Sequence, residues 1–126
     1  MNSWARANRR KFPRVTYPCL VIVRYDQGEK SVILTHTENL GPGGTCAILK
    51  DNLKMHAPIE IELDLLDLED HVKCQGKVVW SVPRPGGEKD KVSFYETGIE
   101  FVGLVDRDRQ RIEQIVTNLL KRQPEA

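Results

Sequence analysis

Long hydrophobic runs are missing from this sequence of 126 residues. Nothing in it approaches the roughly 18 consecutive apolar residues that cross a bilayer as a helix. The basic N-terminus, MNSWARANRRKFPR, is not followed by the apolar stretch that a secretory signal requires. These absences predict a cytoplasmic protein with no membrane insertion. Cysteine is scarce as well: Cys19, Cys46 and Cys74 stand far apart with no CxxC pair, which argues against zinc and thioredoxin-like chemistry. Each is expected to be a reduced, buried thiol acting as a small hydrophobe. His36, His56 and His71 lack the spacing of metal ligands, so no metal or cofactor is expected. Aromatic residues make up 6% of the chain, too few for a platform that stacks single-stranded nucleic acid. No nucleophile stands with a base, and Glu60, Glu62 and Asp64 alternate along one strand as solubilising charges. No enzyme is expected.

The charge that is present is unevenly spread. Residues 1–14 carry Arg6, Arg9, Arg10, Lys11 and Arg14 with no acid. The remaining 112 residues hold 14 of the 19 basic side chains and all 18 acidic ones, a net charge of −4. A cationic arm on a mildly acidic body points to a specific anionic partner. A protein that coats a nucleic-acid polymer would need a wider basic surface.

At 126 residues the chain is long enough for one domain with a real core. Its body reads as short strands separated by turn chemistry: 18–25, 31–37, 45–50, 59–65, 71–82 and 92–102. Ile59, Ile61, Leu63 and Leu65 alternate with Glu60, Glu62 and Asp64, the period of a half-buried strand. In the next strand Val72, Cys74, Val78, Trp80 and Val82 share one parity, which predicts core packing for Trp80. Gly76 interrupts that row, as at a bend or bulge in a barrel. NLGPGG at 39–44 and PRPGGEKDK at 83–91 read as loops, and Arg84 in the second reads as a solvated charge. After Val102 the period changes. Ile112, Ile115, Val116, Leu119 and Leu120 form one helical stripe, with Asp106 as N-cap and Pro124 as stop. The expected fold is all-β: a six-stranded antiparallel barrel with a C-terminal α-helix packed against it. The domains are a basic arm at 1–17, the barrel and helix at 18–122, and a tail at 123–126.

Two short segments flanking the first two strands resemble the paired signature of the PilZ domain family. Its first part, Arg-x-x-x-Arg before the first strand, matches Arg10-Lys11-Phe12-Pro13-Arg14, with Arg9 ahead of it. Arg6 and Arg10 also fit that spacing, but Arg14 abuts the first strand, where the family places its second arginine. The second part, Asp/Asn-x-Ser-x-x-Gly, matches Asn39-Leu40-Gly41-Pro42-Gly43-Gly44, except that Gly41 stands where the family usually has serine. The strand order, the late strand with Trp80 and the final helix also match the family's layout.

The resemblance implies a receptor for cyclic di-GMP, with ligand-binding residues Arg9, Arg10, Arg14, Asn39, Gly41, Gly44 and Trp80. The residue types suit that ligand. A guanidinium pairs a phosphate, or the O6/N7 edge of guanine, in bidentate fashion, where lysine offers only a point charge. Glycines let backbone N–H groups approach an anion and permit positive φ, and Asn39 offers one acceptor and two donors. The family implies output through an unidentified effector protein, in motility, secretion or biofilm control. An alternative is a degenerate PilZ-like adaptor that binds protein but no nucleotide, favoured by Gly41 and disfavoured by the intact arginines.

Overall fold

The computed structural model describes residues 15–26, 28–85 and 92–122, except for the side chains of residues 92, 93 and 122. Six strands follow in chain order: β1 (Leu20–Asp26), β2 (Lys30–Gly41), β3 (Gly44–Leu49), β4 (Pro58–Asp64), β5 (Val72–Pro85) and β6 (Val92–Val102). They close into an antiparallel barrel in the order β1-β2-β3-β6-β5-β4, with β4 returning to pair with β1. Among the described residues one helix, α1 (Asp106–Arg122), follows the barrel. This is the architecture expected from the sequence.

Alternation builds the interior. Val21 and Val23 of β1, Ile59, Ile61 and Leu63 of β4, Val72 and Val78 of β5, and Ile99 of β6 all point inward and are buried. Gly76 also points inward, and a Cβ there would collide with the side chains of Ile61 and Ile99, so the glycine makes room for the isoleucines. Three threonines, Thr37, Thr45 and Thr97, are fully buried, and each hydroxyl donates to a backbone carbonyl.

The helix brings Ile112 and Val116 into the same core, with Ile115 and Leu119 partly covered. Leu120, expected in the buried stripe, is 43% exposed because it falls just past the edge of that face. Asp106 and Asp108 occupy the first turn, where the positive end of the helix dipole favours them.

Arg111 fastens α1 to the β4–β5 loop: its Nη2 donates to both Asp67 oxygens at 3.0 Å, and its Nη1 donates to Asp108 at 3.1 Å. Burial works to raise the Asp67 pKa, but the Glu69 N–H and the Arg111 guanidinium together hold it below the ordinary value. A depressed folded-state pKa contributes stability above the unfolded value, and that contribution disappears as the pH falls through the folded one. Asp67→Asn is therefore expected to cost about 1.5–3 kcal/mol at pH 7. Urea unfolding should show the gap to wild type closing as the pH drops below roughly 4. A gap equally wide at pH 3 would contradict this account.

Several local expectations are corrected. The stretch 39–44 is not a loop, because β2 runs on to Gly41 and β3 starts at Gly44, leaving only Pro42 and Gly43 between them. Likewise β5 continues through Pro85, so Arg84 lies in a strand. Val15 and Tyr17, assigned to the arm, pack into the body: Val15 is buried, and the Tyr17 hydroxyl donates to the Leu65 carbonyl at 2.5 Å. The tail at 123–126 lies outside the described residues.

Candidate functional site

The start of the described chain is laced to the end of β2. Val15 N–H donates to the Leu40 carbonyl at 3.0 Å, and Leu40 N–H donates to the Val15 carbonyl at 2.8 Å. Further along, Thr37 N–H donates to the Cys19 carbonyl at 2.9 Å, and the Thr37 hydroxyl donates to the Tyr17 carbonyl at 2.6 Å. Arg9, Arg10 and Arg14 lie outside the described residues. Their point of attachment does not: Val15, next in sequence to Arg14, is held beside Leu40, between Asn39 and Gly41.

Two β-bulges decide what faces outward from there. In β2 the register shifts between Thr37 and Asn39, with Glu38 as the extra residue. Thr37 and Leu40 both point inward and are fully buried, so Glu38 and Asn39 both face outward. In β5 the register shifts between Val78 and Trp80, with Val79 extra. That bulge reverses the parity read from the sequence. Trp80 does not join Val78 in the core but lies on the outer surface over Gly98, where any Cβ would run into its indole ring. Val82 follows it outward and is exposed.

The pairing then aligns one row across four strands. Asn39 pairs with Cys46, Cys46 with Gly98, and Gly98 with Trp80. At the usual strand spacing the row is about 14 Å long. One end offers an amide and the other a large indole, which fills the space over Gly98. Asn39 Oδ1 is buried and has no hydrogen-bond partner among the described residues, an arrangement that costs free energy until a donor reaches it. Gly41 has the outward parity of Asn39 and pairs with Gly44 at the hairpin end.

The glycines here serve close packing, not unusual backbone angles. Among the described residues only Gly28 and Gly103 are glycines with positive φ, against the expectation for residues 39–44. At Gly44 an added Cβ would be driven into the Ile99 carbonyl. The Gly43 carbonyl accepts the Phe101 N–H at 3.0 Å, which fixes the turn onto β6.

Charge gathers beside the row. Arg84 Nε donates to Glu96 Oε1 at 2.8 Å, and this hydrogen bond raises the arginine's already high pKa. The Cys46 thiol donates to Glu38 Oε2 at 3.9 Å. One oxygen of Glu38, one oxygen of Glu96 and Cys46 Sγ lie within 4.8 Å of one another. Cys46 is buried, as expected, yet it is absent from the hydrophobic core because it faces this outer row. Cys19 meets the expectation, whereas Cys74 is only half-buried against the core; burial pushes both thiols up, Cys74 to about 11. None of the three is in a disulfide.

Asn39 and Trp80, far apart in sequence, thus share one row, and Gly41 and Gly44 close the hairpin beside it. Sequence reasoning missed Glu38 and Glu96 and set Arg84 aside. No spacing signal could have found them, since each reads as a strand or loop surface charge until register and bulges are known. A separate cleft of about 410 Å³, lined by Arg24, Tyr25, Lys30, Glu60 and Gln75 among others, lies over β1 and β4 on the far side of the barrel. It includes none of these residues. Among the described residues no helix is long and apolar enough to cross a membrane.

The sequence model of the PilZ domain matches residues 8–118. The chain belongs to the PilZ domain family. Among solved structures, this PilZ domain resembles the Bacillus subtilis inhibitor of motility MotI/DgrA, with TM-score 0.71 and 19% identity over 91% of this chain and 54% of that one. It also resembles the PilZ domain with c-di-GMP of YcgR from Escherichia coli, with TM-score 0.67 and 15% identity over 90% of this chain and 92% of that one. The K. pneumonia MrkH–c-di-GMP complex matches with TM-score 0.69 and 20% identity over 90% of this chain. The chain spans about half the length of MotI/DgrA and of MrkH. At these identities the likeness speaks for the fold. No curated protein matches the sequence.

Proposed function

We propose that this PilZ domain is a receptor for cyclic di-GMP that acts in the cytoplasm and passes its signal to a partner protein. The observation that carries the reading is the bridge between Val15 and Leu40, which roots the Arg-rich arm beside the outward row from Asn39 to Trp80. A cyclic dinucleotide has two phosphates, which call for guanidinium forks, and two flat bases, which call for a stacking surface and hydrogen-bonding edges. Arg9, Arg10 and Arg14 supply the forks, Trp80 the surface, and Asn39 an edge with an unused acceptor. Glycine at 44 keeps the hairpin close against β6. Ligand engagement draws the arm's arginines onto this face and alters the surface presented to an effector. The roles given to Arg9, Arg10, Arg14, Asn39, Gly41, Gly44 and Trp80 belong to this proposal, as do the absence of catalysis and of binding to nucleic-acid polymers.

Isothermal calorimetry with cyclic di-GMP tests the reading, and an NMR titration locates the site through shifts at residues 39–44 and at the Trp80 indole. No heat and no shifts would overturn it. Gly41 favours the second reading, an adaptor without nucleotide, because the family's serine hydroxyl is missing there. Restoring it discriminates the two. Under the receptor reading Gly41→Ser gains one hydrogen bond and tightens binding roughly three- to tenfold. Under the adaptor reading neither the parent nor the variant binds.

A further inference from the structure

We infer that Glu38 and Glu96 form the part of this face that reads guanine, giving selectivity for guanine over adenine in a cyclic dinucleotide. The inference rests on the receptor reading above and extends it from ligand class to base identity.

Two carboxylates beside a site for a doubly charged anion present a physical difficulty. Placed near the phosphates they would repel the ligand, and the Arg-rich arm would have to overcome them. Their position resolves it only if they face bases. The Glu38 bulge sits next to Asn39 at one end of the row, and Glu96 is two residues from Gly98 at its centre, both on the outer surface. The nearest oxygens of the pair are no more than 4.8 Å apart, with the Cys46 thiol beside them. Arg84 pairs directly with Glu96 and feels Glu38 only at longer range, and Glu38 is exposed. Asn39 Oδ1, buried and without a partner among the described residues, adds a further acceptor on the same row. The described residues thus gather several acceptors beside Trp80, with Arg84 engaged by one of them.

Guanine suits that arrangement. Its Watson–Crick edge places N1–H and the exocyclic N2–H₂ side by side, two donors that one carboxylate accepts together. Adenine places its N1 acceptor in the corresponding position, and a carboxylate facing that lone pair is repelled. Labour is divided by sign: arginines of the arm take phosphates and the O6/N7 edges, carboxylates of the barrel take the N–H edges, and Trp80 supplies the stacking face. Glu96, held by Arg84, keeps a fixed orientation, whereas Glu38 moves to meet the base.

The experiment measures affinity of the full chain for cyclic di-GMP and for cyclic di-AMP, in wild type, Glu38→Gln and Glu96→Gln, with circular dichroism to check the fold. A bidentate base contact is worth enough to predict roughly a tenfold loss of cyclic di-GMP affinity in Glu38→Gln. Cyclic di-AMP binding should be unchanged or stronger, so the selectivity ratio falls. Glu96→Gln should show the same sign with a smaller change, since Arg84 then becomes free to contact the ligand. If Glu38→Gln binds cyclic di-GMP as tightly as wild type or more tightly, with the ratio preserved, the carboxylates do not read guanine and the inference falls while the receptor reading stands. If wild type binds neither dinucleotide, the receptor reading fails and takes this inference with it.

Discussion

Replacing Arg10 and Arg14 together by alanine is expected to weaken cyclic di-GMP binding by on the order of a hundredfold or more, while leaving the barrel's stability unchanged. The magnitude follows from charge-assisted hydrogen bonds of about 1.5–3 kcal/mol at each guanidinium. The selectivity of the effect follows from position. Both residues precede Val15, where the described core begins, and among the described residues the hydrophobic cluster is complete from Val15 onward. Thermal unfolding should therefore superimpose on wild type, and calorimetry should separate the variants sharply. Lysine at both positions would test the chemistry further. It keeps the charge but loses the fork, so Arg10→Lys/Arg14→Lys should recover only part of the affinity, and the remaining binding should weaken more steeply with salt. Equal affinity of the alanine variant and wild type would remove the arm from the site.

The second large effect concerns folding. Gly44→Ala inserts a methyl group against the Ile99 carbonyl, and that obstacle is backbone within the β3–β6 ladder, unable to swing aside. Either β3 shifts away from β6 or the hairpin distorts, at a cost of about 2–3 kcal/mol. For a domain of this size that lowers the melting temperature by roughly 10 °C. Gly98→Ala is the informative contrast, because the group in its way is the Trp80 indole, a side chain on the outer surface. It should cost less stability and instead change tryptophan fluorescence and ligand affinity. Equal destabilisation by the two changes would mean that Trp80 is as immobile as backbone.

Much of the architecture could be read without coordinates. The alternation Ile59, Ile61, Leu63 against Glu60, Glu62, Asp64 predicted β4, and both faces are as expected. The three-and-four spacing after Val102 predicted α1, with only Leu120 misplaced. Two paired motifs separated by two strands led to the family, as its match over residues 8–118 bears out. The misreading of the outer row has one cause. Parity from residue to residue assumes an unbroken strand, and the extra residues Glu38 and Val79 break it. Neither bulge has a sequence mark: Gly76, the one residue that looked like a bulge, is a regular inward position. Trp80 was consequently assigned to the core for a sound reason that one inserted residue reverses.

By itself, then, the sequence determined the strands, the helix, the uneven charge and the family, because each is written in local periodicity or in residues a few positions apart. Only the tertiary structure decided which side chains share the outer row. The alignment of Asn39, Cys46, Gly98 and Trp80, with Glu38, Glu96 and Arg84 beside them, depends on register between strands distant in the chain. Register is set by how the closed barrel accommodates its bulges and buried side chains together, a collective packing condition that no single stretch of sequence contains.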